Sequence, residues 1–326
     1  MTKLLPLLLG LAAALAGQAA HADRTFPDKP VRVVVPFPPG QGSDILARAI
    51  GDKLSQKWGQ AVVVENKAGA NGAIALQEVA RAKGDGHTLL VTSNSPVVIN
   101  PSLYKQLPYD AERDFQPIAL LAATDMLMVV NSQFPATTLA EVVAHLKAHP
   151  GQYSYASPGT GSTSHLSMEV FKQRAGVEIT HVPYKGSPPA FTDLIGGSTQ
   201  LMIDALPSAL PQVKAGRVRA IAITSSDTPS TIVPDVPLAS AAGVTGLPGR
   251  AWYGMFAPRA TPAPVVAKIV ADVQDVLQMP DIAAKLPQLG LEAVPATPPA
   301  EFGRFLAKER AYWVDATRRT GMYQIE

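Results

Sequence analysis

The chain of 326 residues contains no cysteine. That absence excludes a disulfide-stapled fold, a lipid anchor on an N-terminal cysteine, and any thiolate nucleophile or thiolate metal centre. Charge is sparse as well: charged residues make up 17% of the chain, with 28 Lys and Arg against 26 Asp and Glu. No basic cluster rises out of that balance, so neither a nucleic acid nor an anionic membrane is indicated as a partner. The phosphate loop G-x-x-x-x-G-K-[ST] is missing. No apolar stretch of membrane length follows the N-terminal one.

That N-terminal stretch reads as an export signal. Met1 to Lys3 supply a positive start, residues 4–17 an apolar run, and Ala20-His21-Ala22 the small-x-small pattern of a cleavage site. The run is broken by Pro6 and is shorter than the ~20 residues needed to span a bilayer. Residues 1–22 are therefore expected to be removed after Ala22, leaving an exported chain that starts at Asp23. A chain of that size exceeds the range of one core, and 47% hydrophobic residues suit packed lobes, not disorder. The 25 glycines and 30 prolines fall mostly at element ends, as punctuation of many short elements.

Val31 to Val35 is a β-branched run that stops at a Pro/Gly loop, and Leu46, Ile50, Leu54 and Trp58 follow at helical spacing. The unit of strand, glycine loop and helix repeats from residue 61, from 88, from 153, from 179 and from 200. A long strand-like run covers 118–130, and a helix with Thr138 as N-cap and Glu141 three residues on carries a capping box. Residues 251–257 form another strand before two C-terminal helices. Alternation of this kind implies parallel, doubly wound sheets in an α/β fold.

Ligands in such sheets sit beyond the carboxyl ends of the strands. The loops there are rich in Gly, Ser, Thr and Asn, and each leads into a helix whose N-terminus carries a partial charge of ~+0.5. Several of them converging would hold a carboxylate without an arginine. Catalytic readings are weaker. Gly40-Gln-Gly42 opens like a dinucleotide fingerprint but has Ile45 where the third glycine belongs. Ser162 or Ser164 with His165 and Asp204 would make a hydrolase triad only by a geometry the letters do not show. His145 and His149 lie four apart, off the apolar stripe, without H-E-x-x-H. No catalytic residue, metal or cofactor is expected.

An ordered series of motifs covers nearly the whole mature chain: Pro27-Asp-Lys-Pro-Val-Arg-Val-Val-Val-Pro-Phe-Pro-Pro-Gly40, Asn100-Pro-Ser-Leu-Tyr104, Leu107-Pro-Tyr109, Asp114-Phe115, Ser157-Pro-Gly-Thr-Gly-Ser162, Val182-Pro-Tyr-Lys-Gly-Ser187, Pro207-Ser-Ala-Leu-Pro211 and Phe256-Ala-Pro258. It resembles the Bug-type solute receptors of tripartite tricarboxylate transporters. The resemblance implies a type II-like periplasmic-binding-protein fold, with residues 23–124 and 251–326 forming one lobe, 125–250 the other, and two crossover strands beside a ligand cleft. It implies a monomeric receptor for a di- or tricarboxylate, an aromatic acid or an acidic amino acid, delivering to the membrane components of such a transporter. By this likeness Pro39, Gly40, Gly42 and Ser43 form the first binding loop and Ala70, Asn71 and Gly72 the second. Ser93, then Thr160, Gly161, Ser162, Thr163, Ser164 and His165, and Asp204 complete the pocket. Phe37, His165, Tyr184 and Asp204 are the side chains expected to select among ligands. Relatives often read Gly-Gly-Thr-Asp where this chain has Gly40-Gln-Gly-Ser-Asp44, and are richer in glycine where it reads Gly69-Ala-Asn-Gly72. An exported Ser/His hydrolase and a receptor that signals to a membrane sensor are the alternatives.

Overall fold

In the computed structural model, which describes residues 26–226 and 228–325, the β-branched run Val31–Val35 forms β1. The expected export signal and its cut after Ala22 lie outside these residues. Side chains alternate along β1: Val31, Val33 and Val35 join one buried cluster and Val34 the opposite one, so both faces of the sheet are covered. Helix α1 (Gly42–Trp58) follows, with Leu46, Ile50 and Leu54 buried on one stripe. Each contributes about 1.5–3 kcal/mol, and Leu54→Ala would cost ~2–5 kcal/mol. Gly59, at φ 63°, closes the helix by donating its N–H to Ser55 O.

The pattern repeats. β2 (Val62–Asn66) leads to α2 (Ala73–Ala80), and β3 (Thr88–Ser93) to a wide-turned segment, Ser95–Ile99, and the short α3 (Asn100–Leu103). β4 (Phe115–Thr124) and β5 (Met126–Asn131) come next, then α4 (Leu139–Ala148), whose Thr138–Glu141 capping box is formed. β6 (Ser154–Ser157), α5 (Thr163–Ala175), β7 (Thr180–Pro183), α6 (Ser187–Gly196), β8 (Leu201–Ala205), α7 (Leu206–Lys214) and β9 (Val218–Ile223) build the second half. β10 (Ala251–Pro258), α8 (Ala263–Leu277), α9 (Pro280–Gln288), β11 (Glu292–Ala293) and α10 (Pro299–Arg319) end the chain.

Two sheets result, ordered β11-β4-β10-β3-β1-β2 and β7-β6-β8-β5-β9. The expectation of parallel sheets needs one correction. β10 runs antiparallel between β3 and β4, and β5 antiparallel between β8 and β9. Each is the strand that arrives from the other sheet, so it runs against its hosts. The apolar run 118–130 is likewise two strands, because the chain leaves the first sheet at Thr124 and joins the second at Met126.

The two crossings lie side by side. Buried Asp125 accepts from Ser225 Oγ at 3.2 Å, and Ser225 Oγ in turn accepts from Met126 N at 2.9 Å. Arg250, just ahead of β10, stands 3.0 Å from Asp125 and 2.6 Å from Glu292 on β11. Helix α10 seals the first sheet with buried Phe302, Leu306 and Trp313, and Trp252 on β10 donates to its Glu309 at 2.8 Å.

Candidate functional site

The loops after β1 and β2 meet those after β6 and β7 around a cavity of about 260 Å³, lined by Phe37, Ala70, Asn71, Gly72, Tyr104, Thr160 and Tyr184 among others. The second loop is held in an uncommon shape. Ala70 and Asn71 both have positive φ, at 46° and 45°, a left-handed conformation that costs a non-glycine residue about 1–2 kcal/mol. Neighbours hold it there: Asn71 Nδ2 donates to Asn100 Oδ1 at 2.8 Å, and Asn100 Nδ2 returns a bond to Asn71 O at 3.0 Å. Asn100 also donates to Tyr109 Oη, which donates to Pro96 O. Gly72, at φ 87°, has no room for a Cβ, since one would lie 2.8 Å from Pro96.

Behind Phe37 and Pro158 lies a second pocket of about 30 Å³, room for about two water-sized groups. Its walls are Ser93, Asn94 and Ser95 from the end of β3, Ser162 to Ser164 at the start of α5, Asp204 on β8 and Tyr253 on β10. Tyr253 reaches it because β10 pairs in register with β3, opposite Ser93.

The two halves are closed on one another. Thr163 Oγ1 donates to Asn94 Oδ1 at 2.8 Å, Tyr104 Oη to Thr160 O at 3.1 Å, and Ser187 N to Gln41 Oε1 at 3.3 Å. Glycine makes the approach possible: a Cβ on Gly161 would lie 2.0 Å from Leu103, and one on Gly186 2.5 Å from Pro38.

Asp204 is the carboxyl at the centre. Ser164 Oγ donates to its Oδ1 at 3.0 Å, and burial pushes its pKa up to about 6 against the pull of the nearby Ser187 hydroxyl, the Ala205 backbone and the Ser164 bond. Burial also pushes up the Tyr253 phenol, with the nearby Asp204 adding to it. Beneath the pocket, His165 stacks on His181 with ring centres 3.8 Å apart, and His181 stacks on Tyr155. Burial first, then the neighbouring His181 and Lys172, bring His165 down to about 3; burial brings His181 to about 4. Both rings are therefore neutral, and His165 Nδ1 accepts from Gly161 N at 3.1 Å, which holds the Gly159–Ser162 turn.

The structure distributes the expected residues over four positions. Ala70, Asn71, Gly72, Thr160 and Tyr184 line the outer cavity, Ser93, Ser162, Thr163, Ser164 and Asp204 the inner one, and Phe37 both. Gly42, Ser43, Gly161 and His165 shape the walls from behind: a Cβ on Gly42 would strike Tyr253 Oη, and Ser43 and His165 are buried. Pro39 and Gly40 are exposed at the rim, where Gly40 N donates to Asp44 Oδ2 at 2.9 Å. The Ser–His–Asp relay is not assembled among the described residues. Ser162 Oγ accepts from the His165 backbone N–H, Ser164 gives its proton to Asp204, and the His165 ring faces His181. His145 Nε2 is bonded to Tyr153 Oη at 2.6 Å, and His149 to His145 O.

Gln41, Asn94, Asn100, Tyr104, Ser187 and Tyr253 were not among the expected site residues. Asn100, Tyr104 and Ser187 sit inside the recurring motifs, and Gln41 is the noted departure in the first loop, so a signal existed for those four. Asn94 and Tyr253 had none, since only strand register and lobe closure bring them in.

Residues 46–320 match the family described as Tripartite tricarboxylate transporter family receptor. Protein BugT of Bordetella pertussis is 35% identical over 323 residues, 98% of each chain. Among solved structures, the chain is similar to R. palustris Rpa4515 with adipate, at 34% identity and a TM-score of 0.88 over 92% of this chain and 100% of that one. It is similar also to MatC from Rhodopseudomonas palustris with bound malate, at 35% identity and a TM-score of 0.84 over 89% and 99%.

Proposed function

The chain belongs to the tripartite tricarboxylate transporter receptor family, and on that premise we propose that it is a periplasmic receptor for a small organic carboxylate. Proteins of this family and its structural neighbours are binding proteins, not enzymes, with the two-sheet α/β fold of periplasmic receptors. One observation carries the reading: loops from both sheets close over a cleft whose inner pocket is lined by hydroxyls, the Asn94 and Gln41 amides and the Asp204 carboxyl, without a lysine or arginine, while Lys185 lines the outer cavity. Helix starts at Gly42, Thr163, Ser187 and Leu206 face that region and suit an anion. Adipate and malate in the two R. palustris proteins are chemistry of this kind.

In this reading residues 23–124 with 251–326, and residues 125–250, are two bodies that hinge about the Asp125 and Arg250 crossings. The monomer is exported by cleavage after Ala22 and hands its cargo to a tripartite-type membrane transporter. Calorimetric titration of the mature chain with adipate, malate, citrate, glutamate and benzoate tests the binding claim. Saturable one-to-one binding of at least one is the expected result; silence across the panel sinks the carboxylate reading.

A further inference from the structure

The inner pocket and the walls behind it leave several donors and one acceptor without a partner, Asn94 and Asp204 lining the pocket itself. Among the described residues, the buried Asn94 Nδ2, Ser43 Oγ and Ser187 Oγ lack partners, and so does Oδ2 of Asp204, which is 3% exposed. Hydroxyl and amide donors of this density suit an anion. An ionised Asp204 contradicts them, because two negative groups would share a dry site without a counter-cation. The neutral acid resolves the conflict, since a protonated carboxyl carries an O–H donor.

On the proposed reading that the ligand is an organic carboxylate, we infer that Asp204 holds it in the protonated form, donating a hydrogen bond to the ligand carboxylate, so that loading takes a proton from solvent. The charged and titratable groups packed around Asp204 leave this role to it. Tyr253 on β10 is itself held protonated by burial. On α5, His165 is neutral, and Glu169 and Lys172 pair with each other at 2.8 Å. Asp193 on α6 accepts from Tyr184, Asp44 on α1 is paired with Arg48, Asp125 ahead of β5 lies against Arg250, and Lys214 at the end of α7 is exposed. None of them faces Asp204 as a cation. Burial has already raised the carboxyl to about 6, and an arriving anion raises it further.

The consequence is a preference for plain or hydroxylated carboxylates over amino acids, whose ammonium group would keep Asp204 ionised. The test is titration of the mature chain with malate and with adipate between pH 7 and 8.5, in phosphate and in Tris, whose ionisation heats differ. The expected result is uptake of about one proton per ligand bound, with affinity falling about tenfold per pH unit. Asp204→Asn, whose amide donates at any pH, should flatten that profile and bind about a hundredfold tighter than the parent near pH 8. Asp204→Ala should bind more weakly at pH 7 and also lose the pH dependence. Binding without proton uptake overturns the inference and leaves the carboxylate reading standing, as does loss of binding in a folded Asp204→Asn protein with glutamate as the better ligand. Failure of the parent chain to bind either acid, or any acid of the wider panel, overturns both.

Discussion

The two sheets repeat one plan and use it differently. Each has a second, first and third strand in parallel, then a strand arriving from the other sheet, then a fourth. The first half meets the outer cavity with backbone shape, through prolines at the rim, Gly72 and the left-handed Ala70 and Asn71, and reaches the inner pocket with Ser93, Asn94, Ser95 and Tyr253. The second meets it with side chains, Ser162 to Ser164 and Asp204, backed by the His165–His181 stack. Strand order therefore delivers loops to the cleft without deciding what they present. Left-handed non-glycine residues shape the outer cavity from the first half, and the carboxyl of the inner pocket comes from the second.

The largest expected effect comes from breaking the tighter of two places, Gly161 and Gly186, where the second half also depends on bare backbone. Gly161→Ala puts a Cβ 2.0 Å from buried Leu103 across the cleft. Overpacking of this kind costs ~1–3 kcal/mol, so affinity should fall between about fivefold and about 150-fold. Trimming the partner in Gly161→Ala/Leu103→Ala should recover part of it in the same titration; no recovery would mean the strain is local to the turn.

Thr163→Val removes the bond from Thr163 Oγ1 to Asn94 across the halves and leaves Asn94 Oδ1 buried without a donor. The expected cost to closed-state affinity is ~1–2 kcal/mol, about five- to thirtyfold. Gln41→Ala removes the acceptor of Ser187 N in the first half, a bond of 3.3 Å that is partly exposed. About two- to fivefold weakening is expected. An effect larger than that of Thr163→Val would reverse the division of labour between the halves.

Acid titration of the ligand-free protein separates the halves by window. His165 and His181 have folded values near 3 and 4 against an ordinary 6.5, so their contribution is intact above pH 6.5 and is lost as pH falls toward 4. Asp204 opposes them, because its raised value means that stability is lost as pH rises from 3.8 to about 6. In the first half, Asp44, Asp85, Asp110 and Asp272 are held below the usual carboxylate value by hydrogen bonds and cations, against burial in all four. Their contribution fails only below about pH 4. His165→Gln/His181→Gln should thus flatten the fall in Tm between pH 6.5 and 4.5 and leave the steeper fall below pH 4. An unchanged profile above pH 4.5 would remove the histidine pair from the acid response.

Local signals carried the element order well. The Val31–Val35 run, the stripe of α1 and the Thr138–Glu141 box are each complete within a few residues, so composition and period suffice to place them. The break at Asp125 was illegible because the residues on both sides, Leu121 and Leu127, are equally apolar and equally buried. The helical turn after Ser93 was hidden by Pro96 and Pro101, which fit a loop as well as helix starts. β11 is only two residues long, and its pairing to β4 leaves no pattern of its own.

The same division runs through the site. Sequence alone determined which loops would carry glycine and hydroxyls, and that no thiolate could take part, because those are properties of residue type and order. Tertiary structure decided that β10 slides between β3 and β4 and brings Tyr253 over Gly42. It decided that Asn100 locks Asn71, and that Asp204 ends sealed with one oxygen unmatched. Each of these depends on contacts between residues far apart in the chain, where register, closure and loss of water set the energy and no local pattern encodes the partner.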